Sequence, residues 1–151
     1  MLGPPFFESF NQWDNVKFTH GFNMNIGGNN SAGWQTLLDS VPVACKTIGP
    51  GRIDAWEYGN EADMYGVTLP DYKIASRPED WGEEEYVRDW LNGTRQIGSL
   101  IEEHCPEMAS PELFRFFAPS FADNDFPMTS PKVWAAGLNE DGNIKFYARH
   151  G

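Results

Sequence analysis

The segment from position 52 to position 61 reads Arg-Ile-Asp-Ala-Trp-Glu-Tyr-Gly-Asn-Glu, and it combines an apolar centre with a polar end. It follows the turn Gly49-Pro50-Gly51 and finishes with the pair Asn60-Glu61. A short, mostly apolar run bounded by glycine and proline is typical of a strand in a buried sheet. The segment therefore predicts a strand whose C-terminal end presents an amide and a carboxylate.

The segments on either side alternate between strand and helix patterns. Further strands are predicted at 16–23, 112–120 and 143–150. Trp34, Leu37, Leu38 and Val41 have helical spacing, and Pro42 is expected to break that helix before a restarted turn through Ile48. The strongest helical pattern follows Arg77-Pro78, has three glutamates (Glu83, Glu84 and Glu85) in its early turns, and stops at His104-Cys105-Pro106. A short helix is predicted from Ser130 to Leu138.

The resulting order, β-α-β-α-β-α-β, implies parallel strands with helices packed outside them. A doubly wound sheet and a (β/α) barrel both fit this order. The glycine-rich phosphate loop that would favour the doubly wound sheet is absent from the sequence. We predict an α/β fold of about four parallel strands, in a single domain over residues 1–151.

Composition and charge limit the possible partners. The formal net charge is −11, with 40% hydrophobic and 15% aromatic residues. Such a negative field repels nucleic acid and anionic membrane surfaces, so neither is an expected partner. There is no apolar run of about 18 residues that could span a membrane. The N-terminal residues carry no secretory signal pattern. The aromatic side chains fit either a core or a cleft that stacks sugar rings.

Two other features leave alternatives open. Cys45 and Cys105 fall on separate predicted helices, where they could form a disulfide or remain two buried free thiols. The sequons Asn29-Asn-Ser31 and Asn92-Gly-Thr94 could accept glycans if the chain reached the secretory pathway.

In parallel α/β folds the chemistry gathers at the C-terminal ends of the strands. Here those ends are Asn23, Asn60-Glu61, Ser120 and His150. A carboxyl group among apolar walls can keep its proton until it donates it to a glycosidic oxygen, and a neighbouring amide can bind a sugar hydroxyl. The plainer interpretation is that Glu61 is a capping or surface carboxylate.

An ordered series of short blocks nevertheless resembles the fungal branch of glycoside hydrolase family 79, the β-glucuronidase and heparanase-related group. Each block is weak alone, whereas their order over nearly the whole chain is specific. The blocks are Gly3–Ser9, Phe18–Asn23, Ser40–Cys45, Trp56–Tyr65, Tyr86–Trp90, Ala118–Ala122 and Asn143–His150.

The resemblance implies a retaining (β/α)8 barrel that removes β-linked uronic acid from glycans or glycosides, of which this chain would supply strands three to six. It implies that Glu61 is the general acid/base, that Asn60 contacts the 2-hydroxyl of the reacting sugar, and that His150 lies beside the cleft. Asn23 and Ser120 are expected to line that cleft. The resemblance implies a secreted protein with a carbohydrate substrate, and no cofactor or metal is expected. It leaves the oligomeric state open.

The sequence departs from the family pattern in two places. Ala62 stands where the family usually has proline, and the chain stops at Gly151, before the strand that would carry the nucleophile. A complete barrel needs about 250 residues, so we expect an unclosed barrel with doubtful activity on its own. Glu57 lies about 13 Å back along the strand at roughly 3.3 Å per residue, too far to replace the nucleophile. Asp63 follows Glu61 on the same loop instead of facing it.

The sequence leaves two alternative functions. The first is a non-catalytic carbohydrate-binding protein derived from a decayed hydrolase barrel. The second is a metal site at Asp123-Asn-Asp125, although short acidic clusters of this kind are usually solvated loops.

Overall fold

The computed structural model describes residues 3–25, 32–66, 77–78, 80–122 and 126–150. Within them, four parallel strands form one open sheet in the order β1-β2-β3-β4. Their bounds are β1 Phe18–Phe22, β2 Ile53–Tyr58, β3 Phe116–Phe121 and β4 Ile144–Arg149. Each lies within or across a predicted strand and is shorter than predicted. The predicted α/β class is confirmed, and the sheet is consistent with part of a barrel.

The helices lie between the strands, apart from one at the N-terminus. Their bounds are α1 Pro4–Glu8, α2 Ala32–Ile48, α3 Glu83–His104 and α4 Ser130–Ala135. Helix α1 was not predicted from the sequence. Pro4 suits its first turn, and Phe7 is buried against the ring of His20. Tertiary packing therefore stabilises a helix too short to be recognised from periodicity.

The predicted break at Pro42 is wrong, because α2 continues through it. Buried side chains occur on both sides of the proline, among them Val41 and Ala44, and they share one face of the helix. Proline in a helix interior destabilises it by about 3 kcal/mol. Burial of this continuous face outweighs that penalty. Tertiary packing, and not the local preference of proline, therefore determines that α2 continues through Pro42.

Helix α3 ends where predicted, begins at Glu83, later than Arg77-Pro78 indicated, and packs closely on β2. Its first turn holds three glutamates, and the Glu85 carboxylate accepts the backbone N–H of Gly82 at 3.2 Å. Gly93 faces the ring of Tyr58, where an added Cβ would stand 2.2 Å from a ring carbon. Only glycine allows so close an approach.

A disulfide joins α2 to the end of α3. Cys45 and Cys105, 60 residues apart, are bonded and both are buried. The pairing that the sequence left open is therefore formed, and the two longest helices are covalently connected.

The two faces of the sheet have different surroundings. His20 and Trp56 point to the side that the helices cover, and they are buried. Successive side chains along a strand alternate between faces. The opposite face carries Gly21 and Phe146, which are exposed, and Phe117, which is half-buried with its ring 6.5 Å from that of Phe146. This second face is the one that the interior of a closed barrel would contain.

Candidate functional site

The C-terminal ends of β2, β3 and β4 are tied together by backbone hydrogen bonds. The N–H of Glu61 donates to the carbonyl of Ser120 at 2.9 Å, and the N–H of His150 donates to the carbonyl of Phe121 at 2.8 Å. Glu61 has φ 54° and Ser120 has φ 56°, both in the left-handed region that non-glycine residues seldom adopt. The chain turns sharply at both points: Glu61 lies three residues after the end of β2, and Ser120 is the next-to-last residue of β3, where the pairing with β4 shifts register.

This arrangement brings the side chains of Glu61 and His150 into contact. His150 Nδ1 lies 2.8 Å from Glu61 Oε1, and the two side chains are 43% and 40% exposed, respectively. Either the ring N–H donates to an ionised carboxylate, or a protonated carboxyl donates to the ring nitrogen. A proton can therefore reside on either partner. The sequence predicted apolar surroundings for Glu61, but the described residues leave its side chain partly exposed to solvent.

Asp63 fastens the loop that follows Glu61. It is 3% exposed, and its carboxylate oxygens accept the backbone N–H of Ala122 at 2.9 and 3.0 Å. This carboxylate thus joins the loop after β2 to the end of β3. The sequence reasoning considered Asp63 only as a substitute nucleophile and missed its anchoring contact, because nothing in the local sequence indicates a partner 59 residues away.

Asn60 precedes Glu61 and is exposed, whereas its backbone is fixed by a hydrogen bond from a buried side chain. Its carbonyl accepts the hydroxyl of Tyr65 at 2.8 Å. Burial raises the pKa of Tyr65 well above its usual range, so this hydroxyl keeps its proton and remains a donor. Tyr65 therefore fixes the backbone that carries the amide.

Asn23 and Asn60 share one open depression of about 330 Å³, which Glu57 and Tyr65 also line. Asn23 is exposed, and its Oδ1 accepts the N–H of Asn25 at 2.7 Å. Glu57 Oε2 lies 3.1 Å from where a Cβ on Gly21 would stand, so glycine leaves the space that this carboxylate needs. The depression offers amide and carboxylate groups suited to hydroxyls.

Ser120 is placed differently from the other predicted site residues. It is fully buried, and its hydroxyl has no hydrogen-bond partner among the described residues. Only its backbone carbonyl takes part in the site, by accepting the N–H of Glu61. The structure thus places Glu61 with His150, and Asn23 with Asn60, while the Ser120 side chain lies beneath the surface.

A uronate carboxylate needs a cationic partner, for which the sequence offers Arg52, Arg77 and Arg149 among its arginines. Arg52 donates a hydrogen bond to the carbonyl of Trp13. It immediately precedes β2 and therefore lies at the opposite end of that strand from Glu61. Arg77 donates to Met24 and lies 3.6 Å from Asp89. Arg149 is exposed and immediately precedes His150 in the sequence.

Two further observations concern metals and membranes. Asp123 and Asp125 lie outside the described residues. Over the ranges that are described, no three or more His, Cys, Asp and Glu side chains gather as metal ligands. None of the helices in those ranges combines the length and apolar character needed to cross a bilayer.

Comparison with known proteins gives two close relatives. No family model matches the chain. It is 50% identical over 149 residues to a protein named β-glucuronidase from Neurospora crassa, and 39% identical over 149 residues to one of the same name from Aspergillus niger. Each alignment covers 99% of this chain and 26% of the relative. The chain thus spans about a quarter of the length of two fungal β-glucuronidases, and along that quarter it is similar to both.

Proposed function

We propose that this chain forms part of a retaining glycoside hydrolase of the family 79 type, which releases β-linked glucuronic acid, with Glu61 as its general acid/base. The observation that carries this proposal is the 2.8 Å contact between Glu61 and His150 at the C-terminal edge of a parallel sheet. The names of the two fungal relatives support the substrate class.

In this mechanism Glu61 protonates the glycosidic oxygen as the bond breaks, then takes a proton from the water that completes the reaction. His150 acts as a positioning residue, because its ring holds Oε1 and leaves the second carboxylate oxygen to face the substrate. Asn60 binds the 2-hydroxyl of the reacting sugar, through a contact that strengthens as positive charge develops on the ring.

A retaining reaction also needs a nucleophilic carboxylate about 5–5.5 Å from the acid. Asp63 is already engaged with Ala122. The Glu57 carboxylate lies beside Gly21 of β1, whereas the Glu61 carboxylate contacts His150 at the end of β4, on the other side of β2. From these contacts and the family resemblance, we assign the nucleophile to polypeptide beyond these 151 residues, and expect the isolated chain not to turn over an aryl β-glucuronide.

The decisive experiment grafts residues 1–151 into the Neurospora crassa relative, in place of the matching quarter. The graft should hydrolyse aryl β-glucuronides, and Glu61→Ala should lower kcat by about 10²–10⁴ for a substrate with a poor leaving group. An activated leaving group needs no proton, so its kcat/KM, which reports formation of the glycosyl-enzyme, should fall far less, while hydrolysis of that intermediate slows because its general base is gone. With this activated substrate azide should restore turnover by attacking the intermediate and giving a β-glucuronosyl azide.

Glu102→Gln is the matched control, since Glu102 is an exposed carboxylate on α3 and should leave kcat unchanged. An equal loss of kcat/KM with both leaving groups and no azide product would refute the acid/base assignment. Turnover by the isolated chain that disappears in Glu61→Gln would show instead that the nucleophile lies within these residues.

A further inference from the structure

The sequon Asn92-Gly93-Thr94 lies within α3, and its three residues have different environments. Asn92 is exposed, and its Oδ1 accepts Gln96 Nε2 at 3.1 Å. Thr94 is fully buried, with its hydroxyl donating to the carbonyl of Leu91 at 3.2 Å. The asparagine that would carry a glycan faces solvent, whereas the hydroxyl that defines the sequon is hidden in the core.

The disulfide gives an independent indication of the compartment. Cys105 terminates the same helix that bears the sequon, and it is bonded to Cys45 of α2. Disulfides form and persist in the secretory pathway and outside the cell, and are rare in the cytosol. A fold that contains one therefore matures where N-glycosylation takes place.

The surroundings of Asn92 leave room for a sugar. It stands at the rim of an open groove of about 480 Å³ between α3 and the segment that follows α4, lined also by Leu91, Arg95 and Ala136. A first N-acetylglucosamine can lie along this rim while the buried face of α3 keeps its packing.

We propose that the chain folds in the secretory pathway and that Asn92 carries an N-linked glycan, added before α3 packs onto the sheet. Asn92 Nδ2 loses a proton and bonds to C1 of an N-acetylglucosamine whose bond to a lipid-linked pyrophosphate breaks, and the pyrophosphate leaves. Transfer precedes folding because the transferase must reach the hydroxyl of Thr94, which the folded protein hides. The proposal is independent of the reaction assigned to Glu61.

The test is translation of the chain behind a cleavable secretory leader in the presence of microsomes. An Asn29→Gln background removes the other sequon, which lies outside the described residues. We expect a slower-migrating product that endoglycosidase H converts to the faster form, and a glycopeptide containing Asn92 by mass spectrometry. Asn92→Gln and Thr94→Val should abolish the shift, whereas Thr94→Ser should retain it.

Because microsomal glycosylation is read on the translocated chain, the assay does not require the variants to fold. A second measurement adds the microsomal transferase to purified, disulfide-bonded chain, which should remain unmodified. A translocated chain with Asn92 unglycosylated would overturn the site assignment. Modification of the folded chain as efficient as that of the nascent one would overturn the proposed order of events.

Discussion

His20 is a buried histidine surrounded by aromatic rings. The rings of Phe7, Phe10, Phe22 and Trp56 lie 5.0–5.9 Å from it, and 8% of the residue is exposed. Burial lowers its pKa from 6.5 to about 4, because the charged imidazolium is poorly solvated there. His20 is therefore a neutral component of the core and makes the fold sensitive to acid.

The sensitivity has a defined pH range. Above pH 6.5 His20 is neutral in both the folded and the unfolded state, so it does not change the free energy of unfolding with pH. Between pH 6.5 and about 4, His20 is protonated in the unfolded chain but stays neutral in the folded chain. The free energy of unfolding should therefore fall with decreasing pH, by about 3 kcal/mol from this residue. Urea titrations across this range should show a smaller decline for His20→Leu. His104→Leu, at a less buried histidine, should keep the wild-type decline, and parallel profiles for all three proteins would contradict the assignment.

At the residue scale the sequence predicted which residues lie at the strand ends better than it predicted which side chains they contact. The rule that strand ends carry the chemistry selected Asn23, Asn60, Glu61 and His150, and the structure places these four at one edge of the sheet. The roles assigned to them stay predictions. The burial of Ser120 could not be predicted from the sequence, because it depends on how the loop after β2 packs against the end of β3.

At the scale of secondary-structure elements, the contact of Gly93 with Tyr58 sets how closely α3 approaches β2. Gly93→Ala would place a methyl group 2.2–2.7 Å from three ring atoms of Tyr58. We expect it to lower the free energy of unfolding by about 1–3 kcal/mol, despite the better helix propensity of alanine. Gly98→Ala in the same helix meets Phe114 at 3.0 Å and should cost less. Equal urea midpoints for the two variants would show that α3 packs less tightly than described.

The disulfide makes a second contribution at this scale. Its loop spans 60 residues, for which the loss of unfolded-state entropy stabilises the fold by about 4 kcal/mol. Cys45→Ala/Cys105→Ala should therefore unfold at a lower urea concentration. Wild type in reducing agent should move towards the same midpoint. A double variant as stable as the oxidised protein would contradict this expectation.

Elements with strong periodicity were predictable, and elements fixed by tertiary contacts were not. Helix α3 combines a regular apolar face with acidic residues at its start, and its existence and its end at His104 were predicted correctly. Helix α1 and the passage of α2 through Pro42 depend on packing partners distant in sequence. The strands were predicted too long because residues at their ends, among them Leu113 and Phe114, belong to the turns.

At the scale of the whole molecule, the open sheet exposes apolar side chains on its outer strand β4. Strand β4 is an edge strand, and Phe146 and Tyr147 on it are 42% and 49% exposed. An exposed edge with aromatic side chains favours pairing between copies. The isolated chain should therefore self-associate as its concentration rises.

Phe146→Glu should weaken this association, because it replaces an apolar ring on the exposed face with a charge. Sedimentation velocity over a concentration series should show a shift towards monomer. Leu113→Glu introduces the same charge at a residue that is 38% exposed and outside the sheet, and it should leave the distribution as in wild type. Identical behaviour of the two variants would mean that β4 is not the contact.

The left-handed backbone at Glu61 and Ser120 has a consequence for laboratory evolution. A non-glycine residue in this region raises the energy of the folded state by about 1–3 kcal/mol. Glycine relieves that penalty without adding volume, so a library selected only for resistance to heat should accumulate it at positions 61 and 120. Thermostabilised descendants would then lose the carboxylate itself, and any such campaign on this protein should hold position 61 constant.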